Sequence, residues 1–447
     1  MELDITLPLP VARALSVLEA CGYEAYVVGG CVRDSLIGRT PNDWDITTNA
    51  TPEQMKVCFA DFRVIETGIQ HGTLTVIVDG TQLEITTYRN DGEYLDNRHP
   101  VQVTFSTHIK DDLSRRDFTV NAMAYHPTRG LVDLFGGKED LNERIIRAVG
   151  DAKTRFEEDG LRILRAIRFA SVLDFAIDAD TAKAVHACKH LLSGIAFERI
   201  REEFCKLICG KGAMRILREY IDVIAVFLPE LARCVGFDQN TKYHCYDVFE
   251  HTLHALELYK GDDPLIYLGI LLHDIGKPLC YTEDEYGGHF KGHAPAGVEI
   301  TKEILARLRF DNDTIHRMAL LVEWHDIPLS DEKKRVKRLM QRLSDEDILR
   351  LLEIKRCDRL AHAVDFRELP PELAHIPAVM QEIRAEDACL SLRTLAVDGD
   401  DLMALGIPKG KQIGEMLHWL LDEVIEERLP NDKNALLQAA KEYRKKA

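Results

Sequence analysis

The pattern of apolar and polar positions changes character near residue 150. Before that point short apolar runs of strand type alternate with helical stretches: a helix is predicted near residues 11–20, strands at 25–28 and 44–47, and two more strands at 74–78 and 82–87 joined by Asp79-Gly80-Thr81. Asp-Gly between two such runs is a hairpin signal, because both positions tolerate the positive φ that a tight turn demands. After Asp151 the apolar period becomes helical and, short turns apart, is expected to stay so to the end. The predicted fold class is α+β, a small α/β head followed by a long all-α body. Pro229 with the Gly236-Phe237-Asp238-Gln239-Asn240 stretch marks one boundary and Leu369-Pro370-Pro371-Glu372 another. The expected division is a head over 1–150, a helical neck over 151–235, a helical domain over 236–366 and a helical tail over 367–447.

Composition narrows the class. A chain of 447 residues is too long for one ordinary core, and 46% hydrophobic with 29% charged residues describes a globular protein. No stretch reaches the roughly 18–20 apolar residues of a membrane span, and Met1-Glu2-Leu3-Asp4 lacks a basic, apolar signal start, so a cytoplasmic location is expected. The 11 cysteines include no Cys-x-x-Cys pair, which argues against a zinc ribbon or a disulfide framework; Cys205 and Cys209, one helical turn apart, are expected to pack. A net charge of −17 and a pI near 5.5 argue against indiscriminate nucleic-acid binding, which needs a broad cationic surface. RNA contacts must then be local, and DNA is not an expected partner.

The most informative stretch is Val28-Gly29-Gly30-Cys31-Val32-Arg33-Asp34, followed by Asp43-Trp44-Asp45. The first reads as strand, tight glycine turn and helix, whose exposed N–H groups would cradle a triphosphate. Asp43 and Asp45 are two apart, so on a strand both carboxylates would leave one face and could hold hard, oxygen-ligated Mg²⁺ ions. Taken alone, Asn-Asp-Trp-Asp after Pro41 is also good turn chemistry.

Further along, Glu158-Asp159-Gly160-Leu161-Arg162 reads as helix, which would put Asp159 and Arg162 on one face at a spacing of i and i+3. An Asp accepting from the amino group of cytosine or adenine, and an Arg donating to the neighbouring ring nitrogen, would select these bases without a template. Uracil and guanine would leave buried polar groups unpaired, a penalty of roughly 1–3 kcal/mol per mismatch. Arg165 and Arg168 continue the stripe toward the triphosphate. The bland alternative is a helix laced with solvated ion pairs.

With Arg115-Arg116-Asp117-Phe118-Thr119-Val120-Asn121-Ala122 lying between these motifs, the first 210 or so residues resemble the class II tRNA nucleotidyltransferases, comprising the CCA-adding enzymes and the bacterial poly(A) polymerases. The resemblance implies that Gly29, Gly30, Arg33 and Arg116 contact the incoming nucleotide, that Asp43 and Asp45 hold two Mg²⁺ ions, and that Asp159, Arg162, Arg165 and Arg168 recognise the base. Glu84, on the predicted strand Leu83-Glu84-Ile85-Thr86, is the candidate third carboxylate, whereas Phe118 and Asn121 are expected to pack or fix the loop. The implied partners are tRNA, CTP and ATP. The polar segment from Arg89 to Pro100 looks like the loop this family needs for its switch to A addition, and Thr67-Gly68-Ile69-Gln70-His71-Gly72-Thr73 looks like the CCA-adding version of its strand. These features favour CCA synthesis, or addition of its terminal A, over a poly(A) polymerase.

In the C-terminal half His251, His273-Asp274 and a distant Asp358 resemble the metal-binding pattern of HD phosphohydrolases, with His293 and His325 able to complete a second position. Imidazole and carboxylate ligands suit a divalent transition metal or Mg²⁺. Two rival readings follow: a phosphohydrolase whose head only binds nucleotide, and a scaffold without catalysis. The run Lys333-Lys334-Arg335-Val336-Lys337-Arg338 is a candidate phosphate contact or a solvated helix face, and the turn from Leu405 to Gly414 offers backbone N–H groups and lysines to a phosphate.

Overall fold

Ala25, Tyr26, Val27 and Val28 are all buried, which a strand achieves only in the middle of a sheet covered on both faces. This strand, β1 (Ala25–Val28), belongs to a seven-stranded sheet with β2 (Asp45–Thr48), β3 (Arg63–Ile65), β4 (Thr73–Val78), β5 (Thr81–Thr87), β6 (Met123–His126) and β7 (Gly130–Asp133). The order across the sheet is β3-β4-β5-β2-β1-β6-β7; β2 runs parallel to β5 and antiparallel to β1. The computed structural model describes residues 5–91, 103–386 and 388–446. They pack as two units, Met1–Pro229 and Glu230–Ala447; the expected divisions at 150/151 and 366/367 lie inside these units.

The predicted hairpin forms, with Asp79 at φ 49° and Gly80 at φ 83°, the two positive values of a type I′ turn. Thr81 belongs to β5 rather than to the turn. Strand β2 starts one residue later than the alternation suggested, so Asp43 precedes it. Three strands of the sheet escaped the sequence pattern: β3 is a three-residue edge strand, β6 is buried on both faces and therefore shows no alternation, and β7 is half-buried along its whole length and shows none either. The expectation of an unbroken helical body also needs correction, because Thr282–Asp284 and Gly287–His289 form a small antiparallel ladder of polar residues and glycines without apolar period. Arg89–Asp91 pairs with Val103–Phe105; residues 92–100 of the expected loop lie outside the described residues.

The unit Glu230–Ala447 is otherwise helical. Several of its helices begin on side-chain caps that satisfy free N–H groups, among them Asp247 for Val248–Leu258, Asp263 for Pro264–Leu272, Asp311 for Asn312–Trp324 and Ser344 for Asp345–Ala361. Residues 266–272 are buried on all sides, which makes Pro264–Leu272 the central helix of its unit. No described helix is long and apolar enough to cross a membrane.

Candidate active site and candidate metal centre

In the unit Met1–Pro229, β1 runs into Gly29, which caps the helix Gly30–Leu36 at φ 85° and ψ −130°. Glycine is required twice over: its φ disfavours an L side chain, and a Cβ there would lie 2.8 Å from Nη1 of Arg116. Arg116 is therefore seated against the turn, where its second nitrogen donates to the fully buried Asp112 at 3.2 Å. Asp112 also accepts from Arg115 and from the Thr47 hydroxyl of β2, so one buried carboxylate ties the arginine pair to the strand that carries Asp45. Its pKa is lowered: burial opposes ionisation, and Arg116 and Arg115 overcome it.

The parallel register sets Asp45 opposite Glu84. Side chains opposite one another in adjacent strands leave the sheet on the same face, and both of these are exposed, as is Asp43. The Asp45 pKa is raised by desolvation and by the carboxylates of Glu84 and Asp43, with Arg116 pulling the other way. This crowding of like charge fits a cation site built from hard oxygen donors.

Arg33 is buried, forks onto Asp34 and donates to Asn121 at 2.6 Å. Asn121 in turn donates to Asp117, which also receives Arg165 at 2.8 and 2.5 Å. Asn121 thus does more than fix a loop, because it joins the glycine-turn helix to the helix Leu161–Leu173. Arg168 pairs with Glu203 at 2.7 Å, a partner 35 residues away on the helix Phe197–Ile208. The expectation that Asp159 and Arg162 share a helix face is not met. Asp159 ends the helix Ala152–Glu158 in extended conformation, Gly160 caps the next helix, and only Arg162 lies within it. The local reason is the Asp159 side chain, which accepts from the Leu161 N–H at 3.0 Å and so favours a break over a continuous helix. Asp159 also takes Arg199 at 3.3 Å, while Arg162 binds Glu158 at 2.6 Å and the carbonyls of Arg155 and Arg115.

In the unit Glu230–Ala447 the sequence-predicted ligands converge. His273 caps the central helix at its C-terminal end, and Gly276 follows because a Cβ there would lie 2.2 Å from the carbonyl of His293. His251 Nε2 lies 2.9 Å from Asp358 and 3.7 Å from Asp274; His273 Nε2 lies 3.1 Å from Asp274 and 3.6 Å from Asp358. The other Asp274 oxygen faces His293 at 3.5 Å and His325 at 3.6 Å. His273, His293 and His325 each place Nδ1 on a backbone carbonyl, of Ile270, Phe290 and Val322, which turns Nε2 toward the carboxylates as a ligand nitrogen. His273 Nε2 and Asp274 Oδ2 are buried with ionic neighbours but no well-formed hydrogen bond, which leaves both atoms able to take a metal. Both carboxylates are held well below the usual range, the imidazoles outweighing burial. Lys277, almost wholly buried, contacts Asp274 and Gln239 at 2.7 Å each. The site opens on a cavity of about 670 Å³ that Lys291, Lys355, Arg359 and His362 help to line. Two residues beyond the motif, His244 and His362, stand against the cluster and were not singled out from sequence.

Three cations of the basic run in the helix Lys333–Arg342 are matched by carboxylates: Lys333 pairs with Glu386, Lys337 with Glu427 and Arg338 with Glu426. These cations are committed within the protein. The turn between the helices Gly399–Ala404 and Lys411–Ile425 keeps its two positive-φ glycines, Gly406 and Gly410.

Comparison with known proteins agrees with this geometry. Residues 25–147 match the family model of the poly A polymerase head domain, 174–234 that of the RNA and SrmB-binding site of polymerase A, and 297–440 that of tRNA nucleotidyltransferase domain 2. A CCA-adding enzyme of Pediococcus pentosaceus is 33% identical over 437 residues, covering 97% of this chain and 98% of that protein. One from Lactobacillus delbrueckii subsp. bulgaricus is 48% identical over 216 residues, which span about half (53%) of its length. The crystal structure of the Bacillus stearothermophilus CCA-adding enzyme in complex with CTP superposes with a TM-score of 0.74 at 29% identity, covering 98% of this chain and 99% of that one. A relative one-third identical along nearly the whole length, on a head with this register of carboxylates, shows that the chain belongs to the CCA-adding enzymes, within the class II tRNA nucleotidyltransferases.

Proposed function

We propose that the protein adds CCA to the 3′ ends of tRNA from CTP and ATP: the tRNA 3′-hydroxyl attacks the α-phosphorus of the bound nucleotide, a new phosphodiester forms and pyrophosphate leaves. The observation that carries this reading is the pairing of Asp45 with Glu84 across parallel strands, beside a glycine turn that seats Arg116. Asp43, Asp45 and Glu84 would hold two Mg²⁺ ions, which when bound lower the pKa of the attacking hydroxyl and offset the charge of the leaving pyrophosphate. The backbone at Gly29 and Gly30, with Arg116 and Arg33, grips the triphosphate and keeps the α-phosphorus in line. Asp159 and Arg162 read the base by exchanging partners: the amino group displaces Arg199 from Asp159, and the ring nitrogen displaces Glu158 from Arg162. Arg165 and Arg168, committed to Asp117 and Glu203, orient that pair. A cytoplasmic location accords with this activity.

The test is incorporation of labelled CTP and ATP into tRNA transcripts lacking CCA, ending in CC and ending in CCA, with Asp43→Ala/Asp45→Ala as control. Ordered addition of C, C and A that then stops is expected. A-only addition would make the protein a partial enzyme, and unlimited A addition a poly(A) polymerase.

A second reading rests on the donor set of the other unit. His251, His273, Asp274 and Asp358 would hold one divalent metal, and Asp274 with His293 and His325 a second. The metal would supply a Lewis acid for phosphoester hydrolysis in the adjoining cavity, where Lys291, Lys355 and Arg359 favour an anion. His273→Asn should lower the divalent metal bound by the purified protein; unchanged metal content would sink this reading.

A further inference from the structure

His244, His251 and His362 form another meeting of donors in the same unit, of which only His251 belongs to the His-Asp pattern. One ring nitrogen from each lies within 4.8 Å of those of the other two. The ring of His244 stands edge-on to His251 at 4.8 Å and to His362 at 4.6 Å between centroids. All three carry a buried Nδ1 with no hydrogen-bond partner. This separates them from His273, His293 and His325, whose Nδ1 atoms are all used on backbone carbonyls. A buried polar atom without a partner calls for an explanation, and three imidazoles sharing the same orphaned nitrogen call for a common one.

The rings come from separate parts of the chain. His244 lies before the helix Val248–Leu258, His251 within it, and His362 caps the end of Asp345–Ala361. His251 is fully buried and presents Nε2 to Asp358, so its free Nδ1 is turned to other surroundings.

We propose that His244, His251 and His362 form an all-imidazole site for a transition-metal dication of the Zn²⁺ or Co²⁺ kind, beside the aspartate-containing set and sharing only His251 with it, whose ring releases its N–H proton to solvent and bridges as imidazolate when both sets are filled. Three imidazole nitrogens without a carboxylate discriminate against Mg²⁺, which prefers oxygen and water. Asp358 supplies the nearby negative charge, with Oδ1 2.9 Å from His251 Nε2 and 3.4 Å from His362 Nε2. Because His244 and His362 also line the cavity, a remaining coordination position would face it and take water or a small anion.

The test is Co²⁺ binding by the full-length, metal-stripped protein in excess Mg²⁺, read as metal per chain after gel filtration and as visible absorption. His244→Asn and His362→Asn should each bind about one equivalent less than the unaltered protein and lose the intense band of low-coordinate cobalt. His273→Asn should keep that band while losing metal from the other set. Full cobalt content and an unchanged band in both His244→Asn and His362→Asn would overturn the proposal, as would loss of all cobalt in every variant, which would mean a single site. If His273→Asn alone changes nothing, the aspartate-set reading fails while the imidazole site stands. Should a variant prove unfolded by circular dichroism, titration of the unaltered protein decides: a Mg²⁺-insensitive step with the intense band supports the site, and its absence refutes it.

Discussion

Asp45 and Glu84 face each other across the parallel pair β2 and β5, 39 residues apart in sequence and in register. Neither is a core residue, so both can be changed without opening a cavity. Asp45→Asn should reduce CTP incorporation by about 10³-fold and Glu84→Gln by about 10²-fold, the scale on which charge-stabilising groups act in transfer reactions. Melting temperatures should stay within a few degrees of the parent. A Glu84→Gln enzyme of parental activity would remove Glu84 from the site.

Gly29→Ala tests the turn. The positive φ strains an alanine by about 1–3 kcal/mol, and its Cβ would push the Arg116 guanidinium off the turn. Since the displaced atom is the end of a flexible side chain, the larger effect is expected on nucleotide binding. KM for CTP should rise several-fold, with a smaller loss in kcat, measured in steady-state incorporation assays. An unchanged KM would mean that Arg116 does not touch the nucleotide.

Asp117 links pH to stability in the unit Met1–Pro229. Burial would raise its pKa, but Arg165 and Asn121 hold it down at about 2. A folded value below the unfolded one stabilises the fold above about pH 4 and loses that contribution as the pH falls toward 2, an amount of about 2 kcal/mol by linkage. Asp117→Asn should therefore weaken the protein in urea at pH 7, and the difference from the parent should shrink near pH 3. A gap that is constant with pH would show that the ionised carboxylate is not its source.

Base selection should respond to Asp159 in a particular way. Asp159→Ala removes the acceptor for the amino group, so the preference for CTP and ATP over UTP and GTP, expressed as a ratio of kcat/KM, should fall about 10- to 100-fold. Equal loss with all four nucleotides would instead give Asp159 a structural role, through its bonds to Leu161 and Arg199.

Gly276→Ala probes the packing under the His-Asp pair. Its Cβ would meet the backbone carbonyl of His293, which cannot move as a side chain can, so thermal stability should drop by about 1–3 kcal/mol and bound metal with it. Full metal retention would show that the two segments can separate without disturbing the ligands.

Local chemistry was legible along the chain because its determinants are local. A glycine pair after an apolar strand, Asp-Gly between alternating runs, and His-Asp at the end of an apolar helix each announce their conformation within a few residues, and the structure places them as expected. Where the local rule competed with another, the reading slipped. The Asp159 side chain bonds its own backbone and breaks the helix that the apolar period suggested, and β6, buried on both faces, offers no alternation to detect.

The sequence by itself determined the residue types of both sites and the two architectures that carry them, since strand and helix periods and turn chemistry are short-range. Only the tertiary structure decided which groups meet. Glu84 became a neighbour of Asp45 through strand register, Glu203 reached Arg168 from another helix, Asp112 was buried beneath Arg116, and His244 and His362 came to stand against His251. Partners such as Asp45 and Glu84, 39 residues apart, or His251 and His362, 111 residues apart, are joined by packing of whole elements, and no spacing along the chain encodes that distance.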